Sequence, residues 1–247
     1  MKIDILSLFP EFIEAFFRQS MIKRALEAGL IDMAVTDPRE FSHNKHRQVD
    51  DTIYGGGAGM LMQCGPLFEA CRHVLPEKGP KDRVIFLSPA GRPFTQDKAK
   101  ELYREYDHLV LICGHYEGVD HRVEQYLADE LISIGDYVLT GGELGAMVIA
   151  DAVSRMVPGV LGDAGSAAGD SFYEPILEYP QYTKPAEYNG WKVPEVLMSG
   201  HHANIARWRR KEALKRTLAN RPDLLAKLKM TPEDKRIMAE ILAEKEE

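Results

Sequence analysis

Three glycine-bearing stretches can do chemistry through the main chain, because each one ends an apolar run. They are Ser88-Pro89-Ala90-Gly91 after "VIFL", Gly114-His115-Tyr116-Glu117-Gly118 after "LVLIC", and Gly135 to Gly142 after "LISI". Glycine lets a backbone approach a ligand closely and leaves its N–H and C=O groups bare. Such loops often cradle a phosphate, yet the phosphate patterns are missing. No GxGxxG follows a strand, no GxxxxGK[ST] occurs, and "GGGAGM" at Gly55 to Met60 sits in a polar loop after Tyr54. Apart from Arg92, no cation is placed for a pyrophosphate. A single loop of this kind is a tight turn; three in register indicate a pocket.

The loops need a sheet edge to hold them. "KIDILSLF" reads as a strand, and Pro10 opens an amphipathic helix marked by Phe12, Phe16, Phe17, Ile22 and Leu26 that runs to Gly29. "IDMAVTD" is a strand, and "HNKHRQVDDTIYGGGAGM" is too polar and glycine-rich for a regular element. Then follow helix "GPLFEACRHVL", strand "RVIFLS", helix "TQDKAKELYREY", strand "HLVLIC", helix "VDHRVEQYL", strand "ELISIG" and the long helix "GELGAMVIADAVSRMV". This alternation indicates an α/β domain with a mainly parallel sheet, whose ligands sit beyond the carboxyl ends of the strands. A ligand with an adenine-like base and a ribose but no phosphate fits these loops, and S-adenosylmethionine meets that description. The domain spans 1–160, a flexible linker rich in small residues spans 161–172, and a small helical region spans 173–247.

The chain has 247 residues and a net charge of −7. Between His201 and Met230 nine basic residues face two acidic ones, a net +7 that leaves −14 elsewhere. An acidic body with a basic patch binds a polyanion locally; a solvated helix face is the alternative. No run has the length of a membrane span, and nothing at the start reads as a signal peptide, so none is expected. Cys64, Cys71 and Cys113 lack metal or disulfide spacing, as expected of reduced thiols in the cytoplasm. His43, His46, His201 and His202 have no acid or cysteine partner at ligand spacing, so no metal site is assigned.

Longer stretches carry a resemblance. "SPAGRPF", "LICGHYEGVDHRV", "SIGDYVLTGGELGAMVIADAVSRMVPGVLG", "DSF", "YGGGAGM" and "LMSGHHANIARWRRKEALKRT" resemble the bacterial tRNA (guanine-N1)-methyltransferases along nearly the whole chain. The resemblance implies a SPOUT-like α/β fold whose sheet domain carries a deep trefoil knot, plus a small C-terminal α-helical domain, in an obligate homodimer. It implies S-adenosylmethionine as methyl donor and guanosine N1 at position 37 of tRNA, 3′ of the anticodon, as acceptor. Magnesium is implied too, without a site. The cofactor contacts fall on Leu87, Ser88, Pro89, Gly114, Tyr116, Glu117, Gly118, Ile134, Gly135, Asp136, Tyr137, Val138, Leu139, Gly141 and Gly142.

Guanine N1 carries a proton, so a base must remove it while charge spreads onto O6. The resemblance gives Asp170 as base and Arg155 as the O6 partner. On the residues alone, Asp170 reads as a helix cap and Arg155 as a charge at a helix C-terminus. His115 stands where the family often has arginine and is expected to meet tRNA, as are Tyr54 and Gly59 of the "YGGGAGM" stretch. Arg207, Arg210 and Lys211 share a basic helix face suited to phosphates, with Trp208 on another face. Alternatives are a ribose 2′-O-methyltransferase of the same knotted class, a non-catalytic RNA-binding protein, and, furthest from the motifs, a dehydrogenase.

Overall fold

The computed structural model describes residues 1–162 and 169–244. The chain divides into two compact units, Met1–Ala164 and Gly165–Glu247. Of the expected linker at 161–172, residues 163–168 lie outside the described residues.

The first unit is built on a five-stranded parallel sheet. Its strands are β1 (Lys2–Leu6), β2 (Asp32–Thr36), β5 (Asp82–Pro93), β6 (His108–Cys113) and β7 (Glu130–Ser133), in the order β2-β1-β6-β5-β7. Side chains alternate across a strand, and here they sort into two cores. Ile85, Leu87, Leu109, Leu111 and Cys113 join α1 (Pro10–Phe17), α2 (Ser20–Glu27), α4 (Gln96–Glu105) and α6 (Glu143–Ser154) on one face. Val84, Phe86, Val110 and Ile112 join α3 (Cys64–Val74) and α5 (His121–Tyr126) on the other. Both faces are covered, which is why the central strands read as unbroken apolar runs.

Two expectations are corrected. The helix expected from Pro10 to Gly29 is two helices, because Gln19 is extended and Ser20 has φ 49°. The polar stretch expected to be irregular contains an antiparallel hairpin, β3 (Asp50–Thr52) with β4 (Met60–Met62). Main-chain bonds Met62 N to Gly118 O (2.9 Å) and Glu117 N to Met60 O (3.1 Å) hold it to the loop after β6.

The second unit carries a short hairpin, β8 (Glu187–Tyr188) with β9 (Trp191–Lys192), and helices α7 (Glu195–Met198), α8 (His202–Asn220), α9 (Pro222–Leu225) and α10 (Pro232–Ala243). Ile176, Leu214, Ile237 and Ile241 form its core. Thr231 and Asp234 start α10 with a reciprocal capping box. Among the described residues no helix is long and apolar enough to cross a membrane.

Candidate cofactor cavity and substrate residues

The three glycine stretches meet in one cavity of about 420 Å³ at the carboxyl edge of the sheet, within the size range of small-molecule sites. Its first wall leaves β5. Ile132 pairs with both Leu87 and Arg92, so residues 88–91 bulge out of the ladder. Only glycine fits at position 91, where a Cβ would lie 2.4 Å from the Ile132 backbone nitrogen.

The second wall follows β6 and includes Tyr116 at φ 60° and Gly118 at φ 134°. The third follows β7, where the Ser133 hydroxyl bonds both the N–H (3.2 Å) and the C=O (3.1 Å) of Gly135. Tyr137 donates its hydroxyl to the Ile134 carbonyl at 3.1 Å. The Gly142 N–H donates to the Gly114 carbonyl at 2.9 Å, closing the third loop on the second.

Of the residues expected at the cofactor, Leu87, Ser88, Pro89, Gly114, Tyr116, Glu117, Gly118, Ile134, Gly135, Tyr137, Val138, Leu139, Gly141 and Gly142 line this cavity, together with His115. Asp136 is exposed and outside the lining. Gly59 lies directly against Glu117, whose Cγ stands 2.2 Å from where a Cβ would be, while Tyr54 is fully exposed on the β3–β4 turn.

The sequence reading missed several parts of the site. Leu61 reaches the cavity from the unexpected hairpin, Phe86 and Gly145 complete its apolar floor, and Glu124 adds a second carboxylate. Beneath the loops, the buried Glu143 accepts a hydrogen bond from the Ser7 hydroxyl at 2.8 Å. Burial, with the Glu143 carboxylate adding to it, pushes the Cys113 thiol well up. His115 Nδ1 is buried and has no hydrogen-bond partner among the described residues. It and Glu143 Oε2 lie 2.7 Å and 2.3 Å from the point a Gly141 Cβ would occupy.

The lining suits an uncharged or cationic ligand. It contains Glu117 and Glu124 and neither lysine nor arginine. A pyrophosphate would find no counter-charge here, whereas a sulfonium and an ammonium group would. An adenosine-bearing cation fits the apolar walls, the bare loop backbone and the orphaned imidazole nitrogen. No cluster of three or more metal-binding side chains occurs among the described residues.

Arg155 caps the C-terminal end of α6, half-buried, its N–H on the Asp151 carbonyl at 3.1 Å. Asp170 belongs to the second unit. Its carbonyl accepts from the Tyr173 N–H at 3.2 Å, and Ser171 bridges to Glu174, so a turn follows it and no helix for it to cap. It borders a cavity of about 330 Å³ shared with Glu174, Arg209 and Arg210.

The cations expected to meet phosphates have partners of their own. Arg210 makes a two-pronged pair with Asp234 at 2.7 Å and 3.0 Å. Arg207 pairs with Glu233 at 3.3 Å and with Glu240, and Lys211 with Glu244 at 2.6 Å. The Arg210 guanidinium, helped by the Thr231 N–H and hydroxyl, holds the Asp234 carboxyl down at about 2 against burial that opposes its charge.

Comparison with known proteins identifies a family for the chain. Residues 1–227 match the family described as tRNA (Guanine-1)-methyltransferase TrmD. A tRNA (guanine-N(1)-)-methyltransferase of Desulforamulus reducens is 55% identical over 242 residues, 98% of this chain and 95% of the relative. Those of Brevibacillus brevis and Halalkalibacterium halodurans are 55% and 53% identical, cover 99% and 100% of this chain, and are themselves covered over 100% of their length. The chain belongs to the tRNA (guanine-N1)-methyltransferase family.

Proposed function

We propose that this chain is a tRNA methyltransferase that moves a methyl group from S-adenosylmethionine to N1 of the guanosine 3′ of the anticodon. The observation that carries this reading is the three-loop cavity, which has carboxylates and no cation in its lining, in a chain of this family. The cofactor supplies a methyl carbon with a good leaving group already attached. What the protein adds is position and charge control.

Bare N–H and C=O groups of the loops after β6 and β7 are suited to the adenine and ribose edges. Glu117 and Glu124 are suited to the positive charge. Asp170 takes the proton from guanine N1, which turns a poor nucleophile into a good one. Arg155 stabilises the charge that this leaves on O6. His115 and the Tyr54–Gly59 turn face the RNA, and magnesium, which the family implies, is assigned no residue.

The knotted threading of the family is supported by two main-chain contacts without side-chain padding. Gly91 lies on the β7 backbone, and Gly142 lies on the end of β6. The homodimer is supported by apolar surface that a lone chain leaves uncovered. Leu144 and Val148 share a face of α6 and are each 46% exposed, and Val138 is 91% exposed. In such a dimer Asp170 of one protomer serves the cavity of its partner.

Methyl transfer to unmodified tRNA, with the product mapped by nucleoside mass spectrometry, tests the reaction. N1-methylguanosine beside the anticodon is the expected product, and a methylated ribose overturns it. Mixing Arg155→Ala with Asp170→Ala chains tests the shared site: activity returns in heterodimers if each site draws on both protomers, and stays absent if not.

A further inference from the structure

Four of the six basic residues of α8 share one set of partners. Arg207, Arg210, Lys211 and Lys215 reach Glu233, Asp234, Glu240 and Glu244. Arg209 instead lies over the Tyr179 ring at 4.9 Å, where α8 borders a second cavity, of about 600 Å³. Tyr182 and Trp208 stand in its wall with ring centres 6.3 Å apart, and Lys184 joins Arg209 at its polar side. None of the lining residues is acidic. Lys184, Arg209 and Tyr182 are exposed. Arg209 and Tyr179 also border the Asp170 cavity.

Aromatic faces beside cations, in a wall without acidic side chains, form a recognised kind of surface. Every nucleobase has a face that stacks on an aromatic ring, and every phosphate is drawn to a cation. We propose that this cavity binds one unstacked nucleotide of the substrate RNA. Its base lies against Tyr182 and Trp208, and its phosphate against Lys184 and Arg209. The choice of RNA rests on the activity proposed above. Unlike Arg207, Arg210 and Lys211, whose side chains pair with acids of the same unit, the cations of this site face a wall without acids.

The test uses the full chain carrying Trp191→Phe, which leaves Trp208 as the remaining one of two tryptophans. Titration with an unmodified tRNA transcript, without cofactor, is expected to quench Trp208 emission saturably. Tyr182→Leu and Lys184→Gln change exposed side chains, so the fold survives, as circular dichroism would verify. Each is expected to weaken tRNA binding and raise the KM for tRNA on the order of tenfold, while S-adenosylmethionine affinity stays as in the wild type. Unchanged Trp208 emission, wild-type tRNA affinity in both variants, or quenching by poly-glutamate in place of tRNA overturns the site. A chain that binds tRNA at Trp208 and transfers no methyl group overturns the activity and leaves the site standing.

Discussion

Alanine at position 142 probes how closely the loop after β7 is pressed onto the end of β6. Gly142 has φ −80°, which any residue adopts, so its need for glycine rests on space alone. An added methyl would lie 2.8 Å from Cys113 Cα, 3.1 Å from the Gly114 nitrogen and 3.2 Å from Cys113 Cβ. Two of these are main-chain atoms that cannot rotate aside. The turn must therefore retreat by about half an ångström, stretching the 2.9 Å bond from the Gly142 N–H to the Gly114 carbonyl. Overpacking costs about 1–3 kcal/mol and the weakened bond about 1 kcal/mol. The first unit should lose roughly 2–4 kcal/mol, or about 4–16 °C in Tm. Gly114 and Gly142 both wall the cavity, so affinity for S-adenosylmethionine should fall by about tenfold or more. Scanning calorimetry and isothermal titration read the two effects. Gly65→Ala, with nothing within 4 Å of its Cβ, is the matched control and should stabilise α3 slightly. A Gly142→Ala chain that melts and binds cofactor like the wild type refutes the reasoning.

Other outcomes follow from the same geometry. Asp170→Asn should slow single-turnover methylation about 10²–10⁴-fold with tRNA still bound; a normal rate removes Asp170 as the base. The Asp234 carboxyl, held at about 2 against an ordinary 3.8, stabilises the fold above its unfolded value. That is worth roughly 2 kcal/mol at neutral pH. The stability difference between wild type and Asp234→Asn should therefore shrink as pH falls from about 4 towards 2, and a gap constant in urea melts over that range would contradict the pairing. Of the three cysteines, Cys64 is partly exposed, while Cys71 and Cys113 are buried, the former with its thiol pushed up to about 11 by that burial. A thiol reagent should label one cysteine of the native chain quickly and three only after unfolding.

The sheet was legible because its central strands are apolar on both faces and separated by helices of ordinary length. The glycine loops were legible because they punctuate those strands. The β3–β4 hairpin was not: "DDT" carries no apolar alternation, and its order comes from main-chain bonds to the loop after β6. The break at Ser20 was hidden because Phe12 and Phe16 before it and Ile22 and Leu26 after it each stand four apart, and no glycine or proline lies between them. Glu143 reads as one more acid at a helix start; only the fold brings Ser7 to it, 136 residues away in sequence. The basic run of α8 reads as a phosphate surface until its acids appear on α10, more than twenty positions downstream.

Those ion pairs also set how the second unit is felt at a distance. A polyanion that binds a row of free cations releases condensed counterions in proportion to the cations engaged, and its affinity then falls steeply with salt. Here the acids on α10 already hold Arg207, Arg210 and Lys211 in place, so few counterions remain to be exchanged there. The RNA contact proposed for this unit should therefore depend on ionic strength much less than its nine basic residues between His201 and Met230 suggest. Its strength then rests on shape and stacking more than on charge.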